Sequence, residues 1–84
     1  MVSVPILIVI GGQPATGKST VASVLVRRTG FAYLRVDRIE QAIMDSTDLR
    51  QPLGPVGYMV AYDVAAEQLR HGVGVVAECV THWP

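Results

Sequence analysis

The apolar residues of this chain fall into short continuous runs and into longer segments with a helical period. Pro5–Ile10 is a run rich in β-branched residues that does not alternate with polar ones, which is typical of a parallel strand covered on both faces. Phe31–Val36 and the almost wholly apolar Val73–Val80 predict a second and a third strand.

Between these strands, apolar residues recur at three- and four-residue steps and predict three helices. The first runs from about Lys18 to Thr29, the second from about Arg38 to Asp45, and the third from about Tyr58 to His71. Gly30 is placed to end the first helix, and the prolines and glycines of Ser46–Gly57 predict a loop. We expect the following side chains to face inward: Val21, Val24, Leu25 and Arg28 in the first helix, and Ile39, Ala42 and Ile43 in the second.

The order strand, helix, strand, helix, helix, strand predicts an α/β fold for residues 1–84, a length that allows one small domain at most. Parallel strands joined by right-handed crossovers would place helices on both faces of the sheet, which makes a three-layer α/β/α arrangement. A chain this short can bury only a small core, so we expect marginal stability.

A glycine-rich segment between the first strand and the first helix carries the chemistry. Gly12–Ser19 fits the pattern G-x-x-x-x-G-K-[ST] without a gap. The glycines let the backbone wind tightly, so that successive N–H groups point into one anion-binding nest at the start of a helix. Lys18 is expected to reach the β- and γ-phosphates, and the Ser19 hydroxyl to bind Mg²⁺. We predict that ATP is bound through Gly12, Ala15, Thr16, Gly17, Lys18, Ser19 and Thr20.

Three further charged residues are candidates for the same site. Asp37 follows the second strand, at the edge where open α/β sheets bind ligands, and its carboxylate could accept a proton from an attacking hydroxyl. The alternative is that Asp37 caps the helix that begins at Arg38. Arg38 could hold an acceptor molecule or be a solvated surface residue. Glu78 lies near the end of the third strand, where a carboxylate could serve the Mg²⁺ site or lie exposed at a strand end.

Composition narrows the class of partner. The formal net charge is zero, which argues against nucleic acid and acidic membranes as partners. The apolar start of the chain is too short to span a bilayer and lacks the basic residues of a signal peptide. Cys79 is the single cysteine, which suits a reducing compartment. We therefore predict a cytoplasmic protein.

The string Ile10–Thr20, followed by Val36-Asp37-Arg38 and by Gly72–Glu78, resembles the small P-loop kinases. This group includes adenylylsulfate kinase, gluconate kinase, chloramphenicol phosphotransferase, zeta-toxin kinases and predicted AAA-type ATPase-like kinases. The resemblance implies a P-loop NTPase fold like that of nucleoside monophosphate kinases, with the third strand between the first and second. It also implies catalytic roles for Lys18, Asp37 and Arg38 in phosphoryl transfer from ATP to a small-molecule acceptor.

The same resemblance implies further strands and an arginine-bearing lid after the third strand. We therefore expect this sequence to correspond to the N-terminal half of such a domain, with an apolar edge on the first strand that favours self-association. Two other functions are compatible with the residues: a nucleotide-binding module without catalysis, and an NTPase motor or switch. Glu78 is followed by Cys79 and not by a second acidic residue, which disfavours a motor.

Overall fold

The computed structural model describes residues 5–12 and 17–80. The strands in this part of the chain are β1 (Leu7–Gly12), β2 (Ala32–Arg35) and β3 (Val75–Val80). The helices are α1 (Lys18–Thr29), α2 (Val36–Ser46) and α3 (Val56–Arg70). The element order agrees with the prediction, and so do the approximate bounds predicted for α1.

The strands form a parallel three-stranded sheet in the order β1-β3-β2. The central position of β3 confirms the order that the family resemblance implied. The register sets Ile10 and Arg35 on either side of Glu78, so the carboxyl ends of all these strands meet at one edge of the sheet. That edge carries the polar residues discussed below.

The alternation of side chains along β3 divides the helices between the two faces of the sheet. Glu78 points to the face that α1 covers, where it contacts Ser19. Its neighbour Ala77 points to the opposite face, which packs against Ala61 and Ala65 of α3. The fully covered positions of β3, Val75 and Val76, form the centre of the core together with Ala22, Val36, Ala61 and Ala65.

The inward face of α1 differs from the one that the pattern predicted. Ala22 is the buried residue of this helix, whereas Val21 is 54% exposed and Arg28 is exposed as well. The helix is therefore rotated by about one residue from the predicted orientation. The small side chain of Ala22 lies on the side of α1 that faces the sheet, and Leu25 on the same helix is half-buried. In α2, Ile39 and Ile43 are half-buried as expected, but Ala42 is exposed.

The end of α1 agrees with the prediction, whereas the start of α2 does not. Gly30 has φ 72° and donates its N–H to the carbonyl of Val26 at 2.8 Å, so it ends α1 as predicted. The second helix begins earlier than expected, because the apolar Val36 is buried as its first residue. The N-cap is consequently Arg35, and the interpretation of Asp37 as the N-cap is wrong. Asp37 lies in the first turn, where a carboxylate still interacts favourably with the helix dipole.

One face of β1 stays uncovered by the described residues. Leu7 is 41% exposed and Val9 is 58% exposed, although both are on the side of the sheet that α3 covers further along. β1 is also an edge strand of the described sheet. None of the described helices is long and apolar enough to cross a membrane.

Candidate active site

Glu78 is the centre of a polar cluster at the carboxyl edge of the sheet. Its side chain is only 1% exposed. The Ser19 hydroxyl donates a hydrogen bond to Oε2 at 2.7 Å, and the Tyr33 hydroxyl donates one to Oε1. The Lys18 ammonium lies 3.5 Å from Oε2, and the Arg35 Nε lies 3.7 Å from the same oxygen. A carboxylate buried this deeply is retained because partners on two elements, α1 and β2, satisfy it.

Two of these partners come from the start of α1. Gly17 precedes the helix with φ 80°, a conformation that glycine adopts without steric cost, and its carbonyl accepts the N–H groups of Thr20 and Val21 at 3.1 and 3.2 Å. This turn sets Lys18 and Ser19 as the first helical residues, with their side chains directed to Glu78. The two residues that the motif singled out for phosphate and metal are therefore held together on one buried carboxylate.

Burial and the neighbouring side chains shift the pKa of Glu78 in opposite directions. Burial by itself would raise the pKa of this carboxyl. The hydrogen bonds from Tyr33 and Ser19 and the charges of Arg35 and Lys18 outweigh it, so the pKa of Glu78 is lowered. Glu78 is thus a carboxylate at neutral pH, which is the form that binds a metal ion.

Tyr33 and Arg35 are site residues that the sequence reasoning missed. Burial, followed by the hydrogen bond to Glu78 and the charge of Glu78, raises the pKa of the Tyr33 hydroxyl. Arg35 Nε is buried and has no hydrogen-bond partner among the described residues. A signal for both residues was present, because they are polar and two positions apart in an otherwise apolar strand and so share one face. The strand pairing of Arg35 with Glu78 is needed to show that this is the face of the sheet that carries Glu78.

The predicted acceptor residues lie on α2. The Asp37 side chain is 45% exposed, its Oδ2 lies 3.4 Å from the Arg35 guanidinium, and its Oδ1 accepts the backbone N–H of Arg38 at 2.9 Å. Arg35 therefore bridges Asp37 and Glu78. Arg38 lines a separate shallow depression, whose other lining residues are Tyr33, Leu34, Arg35, Ile39 and Ala42. Within residues 5–12 and 17–80, Asp37 and Arg38 line different cavities, and the role of Arg38 stays a prediction.

A cavity of about 410 Å³ opens beside Asp37. The first turns of α2, residues 51–54 and the start of α3 form its walls. The volume is within the range of small-molecule sites. Its position next to the Asp37 carboxylate makes it the candidate site for a second ligand.

The remaining predicted residues are placed as follows. Gly12 ends β1, opposite Val80, and Thr20 is exposed in the first turn of α1. Ala15 and Thr16 lie outside the described residues, so their predicted phosphate contacts stay predictions. The backbone of Gly12 and Gly17 thus flanks the predicted phosphate-binding segment on both sides.

The donor set around Glu78 fits Mg²⁺. Hydroxyl and carboxylate oxygens are the hard ligands that this ion prefers, and Ser19 Oγ and Glu78 Oε2 lie side by side. The described residues contain no group of three or more His, Cys, Asp or Glu side chains that could hold a metal by themselves. Mg²⁺ commonly takes one or two protein ligands and completes its shell with water and substrate phosphates, so this sparse set is compatible with it.

Comparison with solved structures gives a kinase-like fold. The chain is similar to a protein from Chloroflexus aurantiacus described as a "putative kinase", with a TM-score of 0.78 and 28% sequence identity. The match covers 89% of this chain and 44% of the other, so this chain spans less than half of that protein's length. No protein-family model matches this chain, and no curated protein matches it.

Proposed function

We propose that this chain is the nucleotide-binding part of a P-loop kinase that transfers the γ-phosphoryl group of ATP to the hydroxyl group of a small molecule. The observation that carries the proposal is the convergence of Lys18 and Ser19 on the buried Glu78 at the carboxyl edge of the sheet. Ligands of open α/β sheets bind at this edge. The likeness to a kinase supports transfer chemistry, and the G-x-x-x-x-G-K-S segment supports a nucleoside triphosphate as the donor.

The residues of this chain would act mainly by positioning and by electrostatic stabilisation. The N-terminus of α1 would present N–H groups and the positive end of its dipole to the phosphates, and Lys18 would add a cation for the β- and γ-phosphate oxygens. Ser19 and Glu78 would hold Mg²⁺, which when bound neutralises charge on the phosphates. Asp37 would orient the acceptor hydroxyl and accept its proton.

The test is calorimetric titration of the 84-residue chain with Mg-ATP. Lys18→Ala removes the only cation of the motif, so we expect affinity to fall by about 100-fold, the value of a hydrogen-bonded charge pair. Asp37→Asn should leave Mg-ATP affinity unchanged, because Asp37 lies on the acceptor side.

Arg28→Ala is the matched control for Lys18, since it removes an exposed basic side chain from the other end of the same helix. Equal ATP affinity in Lys18→Ala and the unmodified chain would refute the assignment of the phosphate site. Equal loss in Arg28→Ala would show that ATP is attracted only by general positive charge.

A further inference from the structure

The cavity beside Asp37 has a charge pattern that selects among acceptor molecules. Its polar wall contains two carboxylates, Asp37 and Glu40, together with Gln51 and Tyr58. Its apolar wall includes Val36 and Leu53. No lysine, arginine or histidine among the described residues lines it. The cavity is therefore an acidic site with apolar support.

The two carboxylates are not equivalent. Asp37 has a cationic neighbour, because the Arg35 guanidinium lies 3.4 Å from its Oδ2. Glu40 is half-buried, and within the part of the chain that the structure describes no basic side chain forms an ion pair with it. The two residues are three positions apart on α2, so their side chains project from the same side of the helix. Glu40 is the charge in this cavity that the described side chains leave without a counterion.

We propose that the acceptor is a small alcohol that carries a protonated amine, such as an amino sugar. This inference rests on the proposed kinase function. The acceptor hydroxyl would lie at Asp37, and its ammonium group would pair with Glu40. An anionic acceptor would meet like charge from both side chains, whereas a neutral one would desolvate Glu40 without supplying a counterion.

The transfer that follows is balanced in atoms and charge. The acceptor oxygen forms a bond to the γ-phosphorus of ATP, and the bond between that phosphorus and the β,γ-bridging oxygen breaks. The hydroxyl proton passes to the Asp37 carboxylate and from there to water. The products are the phosphate monoester of the amino alcohol, ADP and one proton.

The test uses three pyranoses of similar size that differ chiefly in charge: D-glucosamine, D-glucose and D-glucuronate. Each is titrated into the 84-residue chain by calorimetry, with and without Mg²⁺ and a non-hydrolysable ATP analogue. We expect glucosamine to bind about tenfold more tightly than glucose, which is the effect of one partly exposed ion pair, and glucuronate to bind most weakly. Glu40→Gln should reduce the affinity for glucosamine to that for glucose.

The matched control is Asp45→Asn, on the same helix but outside the cavity, where Asp45 accepts a surface hydrogen bond from Gln41. It should keep the preference for glucosamine. A measurement on the unmodified chain gives an independent check, because raising the salt concentration should weaken the binding of glucosamine and leave that of glucose unchanged.

Equal affinities for the three sugars, tighter binding of glucuronate, no detectable glucosamine binding, or a preference that survives Glu40→Gln would each overturn the inference. These outcomes are distinct from failure of the proposed function. If the ATP analogue binds and the sugars show no charge preference, only the acceptor class is wrong. If glucosamine is selected through Glu40 while no nucleotide binds, the cavity assignment holds and the kinase proposal fails.

Discussion

The proposed phosphate side of the carboxyl edge, at Glu78, and the proposed acceptor side, at Asp37, differ in burial and in contacts. Glu78, on the phosphate side, is 1% exposed and has partners from α1 and β2 on both of its oxygens. Asp37, on the acceptor side, is 45% exposed and contacts Arg35 and the backbone of the next residue. A buried and fully paired carboxylate supports the fold as well as the chemistry. An exposed one is free to interact with a ligand at little cost to stability.

The largest expected difference between the two sides is in stability. Glu78→Ala leaves Lys18 and Arg35 without their shared counterion, and loss of one partner of a buried ion pair costs about 3–5 kcal/mol. Asp37→Ala removes a surface pair and should cost less than about 1 kcal/mol. Chemical denaturation monitored by circular dichroism measures both values. Similar losses in the two variants would contradict the distinction between the sides.

Acid should lower the free energy of unfolding through protonation of Glu78. Because the pKa of Glu78 is lowered in the folded chain, its charged form stabilises the fold above the unfolded pKa of about 4.3, and this contribution is lost as pH falls toward the lower folded value. The free energy of unfolding, measured from pH 7 to pH 3 without divalent cations, should therefore decrease on acidification. Glu78→Gln should flatten that decrease. An unchanged slope in this variant would show that other carboxyl groups cause it.

Tyr33→Phe should have a smaller effect, because it removes one of the interactions that stabilise the charged Glu78. Loss of this hydrogen bond should cost about 1 kcal/mol and raise the pKa of Glu78 toward its ordinary value. Tyr62→Phe is the matched control, since Tyr62 is an exposed tyrosine on α3 and its substitution should change stability by less than about 0.5 kcal/mol. Equal values for the two variants would mean that the Tyr33 hydroxyl adds nothing to the cluster.

The strands and helices were predictable because each carries a local signal. Apolar runs marked all the strands, and Gly17 and Gly30 bracket α1, whose bounds were predicted correctly. The exposure of Val21 was not predictable, because the rotation of a helix about its axis depends on which residues approach the sheet. The early start of α2 had the same origin, since burial of Val36 outweighed the preference of Asp37 for a cap.

The candidate site was predictable only where a motif is local. Lys18 and Ser19 belong to one contiguous pattern, whereas Glu78 was inferred from its place at a strand end. Tyr33 and Arg35 reach Glu78 because β2 pairs with β3. Both residues lie more than 40 positions from Glu78 along the chain. A single sequence does not give that register. The positions of Asp37 and Arg38 beside different cavities follow from the helix beginning at Val36.

The segment between α2 and α3 has a consequence for how substrate choice could change over evolution or by design. Gln51, Leu53 and their neighbours form one wall of the cavity, but none of the hydrogen bonds or ion pairs described for Glu78 comes from this segment. Surface loops accept substitutions and insertions at low energetic cost. Under the proposed function, new acceptor preferences can therefore arise by exchange of this short segment, while the residues proposed to hold the phosphate donor are inherited unchanged.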